Sequence, residues 1–258
     1  MNVETIPPVI QVKNISKSFG GIMAVMDLSF ELNKGEVLGI IGPNGSGKTT
    51  LLNCITGFIK QDSGRVFFKG RDITGYPPHK IADMGIGRTF QIMRPFYTLP
   101  AYRNIVVSLF SPRARRFAGA GKLGDRDAVA IDILEDVGFE RDAYVPYKPA
   151  GALPLGYLKR LELARCIALR ADIMLCDEIF SGLSAAEIAT MVPLVERLNM
   201  EGSTFIMIEH RLRELFRVAN RVIVLNFGEK IFEGKPEEAL EDKTVREAYF
   251  GKGKEVVL

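Results

Sequence analysis

The sequence predicts an α/β fold with parallel strands at its centre, and three observations lead there. Short apolar runs at 36–41, 173–176 and 204–208 have the length and composition of strands buried on both faces, as parallel strands are. The first run feeds Gly42-Pro43-Asn44-Gly45-Ser46-Gly47-Lys48-Thr49-Thr50, which fits G-x-x-x-x-G-K-[ST]. After it, 50–55 reads as the start of an apolar-faced helix closed by Gly57, so the motif stands in a strand–loop–helix setting. At 258 residues the chain has room for one large α/β domain, or for a core with a smaller subdomain.

The residue types of the loop are those that anion binding needs. Its glycines let the backbone take positive φ and turn N–H groups around an anion, and a helix N-terminus adds the positive end of its dipole. Lys48 reaches β- and γ-phosphates, and the Thr49 hydroxyl is placed to ligate Mg²⁺. A glycine-rich turn that merely precedes a helix is the plainer reading. The strand before the loop and the helix after it weigh against that.

Lys+Arg 34 against Asp+Glu 31 leaves a net charge of +3, too mild to argue for nucleic acid, and no RNA- or DNA-binding motif is present. Cys54, Cys166 and Cys176 sit in apolar runs without paired spacing and read as small core residues in a reducing compartment. The start carries Glu4, Pro7 and Pro8 and lacks the apolar stretch of a signal peptide. No apolar run approaches the ~20 residues of a membrane-spanning helix. These features imply a cytosolic chain that meets a membrane only through a partner.

Taken in order, 9–12 and 23–32 read as two strands joined by a turn at 17–21. Phe19 falls in that turn, either as its apolar anchor or as a flat plate for adenine, and spacing leaves both open. Two strand-like pieces follow at 64–74, and Pro77-Pro78 breaks the pattern. Residues 85–91 read as a strand ending in Gln91. From 92 to 152 Arg, Pro and Gly are frequent, with helical pieces at 104–110 and 128–137, as in an inserted helical subdomain. Its Arg113, Arg115 and Arg116 read as a solvated loop, with acidic lipid or a partner as the other reading.

Residues 157–169 form an amphipathic helix, leading to the strand that ends in Asp177-Glu178. Carboxylates at the carboxyl end of a buried strand lie where α/β ligand sites form. Asp177 can hold Mg²⁺ through its hydration shell, which leaves Glu178 to polarise a water against the γ-phosphate. The strand at 204–208 ends in Glu209-His210; a lone histidine is more often structural, but at a parallel strand's tip it can meet the same phosphate. The tail reads as a hairpin, 221–226 and 230–233, then a short helix at 236–240 and a last segment to Phe250. The expectation is that strand tips bearing Lys48, Asp177-Glu178 and His210 converge on one magnesium-bound triphosphate.

The order Phe19, 42–50, Gln91, a helical insert, a glycine-bearing segment at 153–157, Asp177-Glu178, Ser181-Gly182-Leu183-Ser184 and His210 resembles the ATP-binding subunit of an ABC transporter over essentially the whole chain. The resemblance implies a P-loop NTPase (RecA-like) core with an N-terminal antiparallel β subdomain, 1–91 and 159–258, and an inserted α-helical subdomain, 92–158. It implies ATP and Mg²⁺ as cofactors, with Phe19 as adenine platform and Gly42, Pro43, Asn44, Gly45, Ser46, Gly47, Lys48, Thr49 and Thr50 around the phosphates. It implies Thr49, Gln91 and Asp177 at the metal, Glu178 as general base and His210 as the residue that orients the water. Residues 181–184 would cross a dimer interface. Permease subunits in the membrane would be the other partners, the chain lying on the membrane's cytoplasmic face. Ile55-Thr56-Gly57-Phe58, Arg88-Thr89-Phe90-Gln91, Ile208-Glu209-His210 and Val245-Arg246-Glu247-Ala248-Tyr249-Phe250-Gly251 are similar to ATPases of branched-chain amino-acid importers. Urea, amide and lipid systems share much of this pattern.

The departures bear on mechanism. The family signature L-S-G-G-Q falls at Leu153-Pro154-Leu155-Gly156-Tyr157, which keeps only Leu153 and Gly156. Pro154 has no hydroxyl and no N–H to offer the γ-phosphate held by the other subunit. Ile179 stands where the family usually has Pro, and Arg211 where Asp is commoner. A heterodimer with unequal sites follows as the favoured expectation over a homodimer. A nucleotide-binding switch with weak hydrolysis is the reading from another class, and retention of Glu178 and His210 argues against it.

Overall fold

The computed structural model describes residues 7–117 and 125–250. Glu4 and Gly251, used above, lie outside the described residues. In chain order the elements are β1 (Ile10–Phe19), β2 (Ile22–Leu32), β3 (Val37–Ile41), α1 (Lys48–Ile55), β4 (Ser63–Phe68), β5 (Arg71–Asp72), α2 (Pro78–Met84) and β6 (Ile86–Arg88). Then come α3 (Ala101–Leu109), α4 (Pro112–Phe117), α5 (Arg126–Asp136), two short 3₁₀ turns, α6 (Leu155–Ala168), β7 (Ile173–Asp177) and α7 (Ala185–Met200). The chain continues through β8 (Thr204–Ile208), α8 (Leu212–Val218), β9 (Arg221–Asn226), β10 (Glu229–Gly234), α9 (Pro236–Glu241) and α10 (Lys243–Phe250). It forms two compact units, Met1–Pro78 with Asn199–Leu258, and His79–Leu198.

The first unit holds an antiparallel sheet of order β2-β1-β4-β5, the β subdomain expected from the sequence. β1 buries Ile10, Val12 and Ile15, and its register against β2 shifts between Val12 and Ile15. Asn14 and Asp27 take left-handed backbone there, φ 50° and 47°, as residues whose short polar side chains tolerate it. Asn14 Nδ2 donates to Asp27 Oδ1 at 2.8 Å, and the Asp27 N–H donates to Ser16 Oγ at 3.0 Å. Side chains thus replace ladder bonds at the bulge. The turn between the strands is Gly20-Gly21, shorter than 17–21, because pairing runs out to Phe19 opposite Ile22. Phe19 therefore ends a strand rather than lying in a loop.

The same unit carries the parallel strands. β3 pairs with β8 on one side, Leu38 opposite Ile206, and with β9 on the other, Gly39 opposite Val222. All five residues of β3 and of β8 are buried, as strands covered on both faces must be. β10 returns antiparallel to β9, giving the hairpin read from the tail.

In the second unit β6 runs parallel to β7, with Ile86 opposite Ile173. A Cβ on Gly87 would sit 3.0 Å from Cys166 Sγ, so glycine lets β6 lie against α6. β6 stops at Arg88, and Gln91 lies in the bend beyond it, not at a strand end as 85–91 suggested. Arg113, Arg115 and Arg116 correct another expectation, since they lie in helix α4 rather than in a solvated loop. Arg113 is buried: Nε donates to the Arg170 carbonyl at 2.8 Å, Nη1 to that of Met84 at 2.7 Å, and Nη2 to Asp172 at 2.7 Å. Arg116 pairs with Asp83 at 3.1 Å, and Arg115 is exposed. The three cysteines are buried, as read from their apolar neighbours. Burial pushes the Cys54 thiol up to about 11 and Cys166 to about 12.

Candidate active site

In the first unit β3 runs into the loop at 42–47, and α1 begins at Lys48. Two of the loop's glycines are sterically required. Gly42 has φ 151°, and a Cβ there would meet the Leu225 carbonyl oxygen at 2.1 Å. Gly47 has φ 100°, and its Cβ would lie 2.0 Å from the Ala24 carbonyl oxygen. Gly47 is also the N-cap of α1 and brings no side-chain acceptor, which leaves the first N–H groups of the helix to an incoming anion. Lys48 Nζ donates to the Gly42 and Pro43 carbonyls at 2.8 and 2.9 Å, so the ammonium is wrapped by the loop it serves. Thr49 is exposed beside it, with Thr50 half-buried.

His210 is exposed two residues past Ile208, the partner of Ile40 in the parallel pair of β3 and β8. The loop and the histidine thus leave the same carboxyl end of adjacent strands, where ligands of open α/β sheets bind. Phe19, at the end of β1, is about half exposed, with Lys17 Nζ 5.3 Å from its ring centroid. Sequence reasoning missed Tyr249 of α10. The Gly42 N–H donates to its hydroxyl oxygen; burial pushes the phenol up to about 12, and that hydrogen bond opposes the rise.

In the second unit Asp177 closes β7 and Glu178 follows it with φ 55°, a left-handed backbone uncommon for glutamate. Gln91 Nε2 donates to Glu178 Oε2 at 3.0 Å, so the structure brings this pair together. Arg88 Nη2 stands 3.4 Å from Asp177 Oδ2, with both side chains buried. The Asp177 N–H donates to Thr89 Oγ1 at 3.3 Å. Burial raises the Asp177 carboxyl above its ordinary value, the Glu178 charge adds to that, and Arg88 and Lys159 oppose it. Asp177 Oδ1 is buried without a hydrogen-bond partner. An orphaned carboxylate oxygen suits a cation's water shell. No cluster of three or more His, Cys, Asp or Glu side chains able to hold a metal occurs among the described residues. Within this unit an amide and one carboxylate, those of Gln91 and Asp177, suit Mg²⁺ that keeps waters and phosphate oxygens rather than a protein cage.

The signature segment starts α6. Pro154 is the N-cap, with φ −57° and ψ 159°, and contributes no side-chain hydrogen bond. Leu153 before it is buried, and Leu155 opens the helix. A Cβ on Gly156 would meet Glu187 Oε1 at 2.5 Å. Ser184 donates to Glu187 through both its N–H and its hydroxyl, each at 2.8 Å. Those bonds, with a smaller one from the Gly156 N–H, hold the Glu187 carboxyl below its usual range. Arg88 and Lys159 escaped the sequence reading, because nothing in a basic residue's spacing announces its burial.

A family model described as "ABC transporter" matches residues 25–181, and one described as "Branched-chain amino acid ATP-binding cassette transporter" matches 229–255. The chain is 34% identical over 253 residues to the high-affinity branched-chain amino acid transport ATP-binding protein BraF of Pseudomonas aeruginosa, covering 95% of this chain and 98% of that one. It is 33% identical over 245 residues to the probable branched-chain amino acid transport ATP-binding protein LivG of Archaeoglobus fulgidus, covering 94% and 95%. Among solved structures it is similar to the ADP conformation of an ATP-binding cassette of an ABC transporter, with TM-score 0.82, 33% identity and coverage of 95% and 99%. It is also similar to a dimeric post-hydrolysis cassette bound to ADP and Pi, with TM-score 0.76, 27% identity and coverage of 88% and 98%.

Proposed function

The chain belongs to the ABC transporter family as an ATP-hydrolysing cassette, and from that premise we propose that it drives uptake of branched-chain amino acids through separate permease subunits. The observation that carries this is likeness over nearly the whole chain to relatives named for that transport, joined by the match at 229–255. No helix among the described residues is long and apolar enough to cross a membrane, which accords with permeases supplied by other chains. We place the cassette on the cytoplasmic face, with the insert at 92–152 carrying the surface that meets the permease.

The chemistry follows from the residues. The β- and γ-phosphates lie on the N–H groups of 42–50 and on Lys48, with Phe19 under the adenine. Thr49, Gln91 and Asp177 would hold Mg²⁺, which would supply positive charge to neutralise the phosphates. Glu178 takes a proton from the attacking water, and His210 orients that water against the γ-phosphate. Gln91 holds the Glu178 carboxylate at 3.0 Å, and giving up that bond frees Glu178 to act. Leu153, Pro154, Leu155 and Gly156 face the nucleotide of a partner cassette, and 181–184 crosses between the two. A heterodimer is the favoured assembly, because Pro154 weakens the site this chain completes.

Glu178→Gln in the assembled transporter tests this, with ATP turnover and uptake of radiolabelled leucine, isoleucine and valine as readouts. Turnover is expected to fall about 100-fold or more for loss of a general base, with nucleotide binding retained. Equal turnover of wild type and variant would favour the switch reading that Pro154 invites. Energised uptake of urea, amides or lipid instead of these amino acids would overturn the substrate class.

A further inference from the structure

We infer that Lys159 is a positioning residue for Glu178, its buried ammonium fixing the backbone from which the carboxylate acts; this rests on the ATPase reading above. Lys159 Nζ donates to the Glu178 carbonyl oxygen at 2.7 Å in a buried bond, and the residue is only 3% exposed. Lysine is almost never buried this far unless its charge has partners, and a charge-assisted bond of this length is among the strong ones. The group it holds is in need of holding. Glu178 has φ 55°, a backbone state that persists in a non-glycine residue only when its surroundings over-determine it. The same carbonyl accepts the Ser181 N–H at 3.3 Å, so it closes the turn that follows β7.

Lys159 lies one helical turn beyond Leu155 on α6, so the grip on Glu178 comes from the helix that begins with the signature segment. A close approach and a hydrogen bond set that segment beside the same turn. A Cβ on Gly182 would lie 2.8 Å from Leu155 Cδ2, and the Gly156 N–H donates to the Glu187 carboxylate that also caps Ser184. The first turns of α6 and the stretch 178–187 are thereby joined at two points and close-packed at a third. A displacement of 153–156, the residues proposed to face the partner's nucleotide, carries the Glu178 backbone with it through Lys159. Hydrolysis by Glu178 thus depends on how the signature segment is seated.

The test is Lys159→Met in the assembled transporter, with Lys159→Arg as the conservative variant and Leu163→Ala as a control for lost stability. Leu163 is buried on the same helix and takes no part in the site. Wild type and Glu178→Gln are run first, since a wild type no faster than Glu178→Gln would refute the ATPase reading itself. With that reading upheld, Lys159→Met is expected to lower kcat about 10- to 100-fold, as loss of a charge-assisted bond does. KM and nucleotide affinity should stay within about twofold, and Lys159→Arg should recover much of the rate. A kcat within about twofold of wild type overturns the inference. So does a loss shared between kcat and nucleotide affinity, or one no larger than Leu163→Ala produces at matched thermal stability. If Lys159→Met does not fold, Lys159→Gln is judged by the same criteria; if neither folds, Lys159 is a structural residue and the inference fails.

Discussion

At the scale of single residues, the glycines of the phosphate loop differ in what they tolerate. A Cβ on Gly47 would collide with the Ala24 carbonyl oxygen, whereas one on Gly45 meets nothing within 4 Å. Both have left-handed backbone, so both alanine substitutions carry strain of about 1–2 kcal/mol. Gly47→Ala must also displace backbone, and its ATP affinity is expected to fall about 10-fold below that of Gly45→Ala in a nucleotide titration. This ranking could not be read from the motif, which marks Gly47 but says nothing of what stands opposite it. Asp177 and Glu178 were legible because a buried strand ending in carboxylates is a local pattern. Arg88 and Lys159 were not, because their partners are 89 and 19 positions away and one of them is a carbonyl that no side-chain pattern reveals.

At the scale of elements, β3, β7 and β8 were readable because apolar runs between turn signals are sufficient to mark parallel strands, whereas β9 was read only as one arm of a hairpin and its parallel pairing with β3 was not foreseen. The helix at α6 was readable too, although its sequence pattern did not show that Lys159 and Glu162 are buried among the apolar residues. α4 was misread, since three arginines within four positions look like a solvated run whether or not one of them turns inward. The structure ranks them. Arg113→Met leaves two carbonyls and Asp172 without their guanidinium donor, and a loss of about 2–3 kcal/mol is expected by thermal or denaturant unfolding, reduced from the buried-pair range because Asp172 is partly exposed. Arg115→Met, at an exposed position of the same helix, is expected to change stability by less than about 0.5 kcal/mol.

At the scale of the whole molecule, the fold class was legible, since the phosphate loop, the strand tips and the family resemblance all converged on an ABC cassette. The assembly was legible only as a proposal, because one chain cannot display its partner. Pro154 makes the proposal testable. Its φ of −57° and ψ of 159° are open to serine, which would restore both a hydroxyl and an N–H and would cap α6. In a dimer with a partner cassette, Pro154→Ser is expected to raise ATP turnover about 10-fold, the worth of one hydrogen bond to a charged group. Brisk hydrolysis by a wild-type homodimer would remove the case for unequal sites. The interior placement of all three cysteines has a practical consequence for following such an assembly. Reagents that seek thiolate find none of these sulfurs presented to them in the folded chain. A single cysteine introduced at Met200, 81% exposed, would therefore accept a fluorophore or spin probe on an otherwise native background, so this cassette could be tracked separately from its partner through a transport cycle.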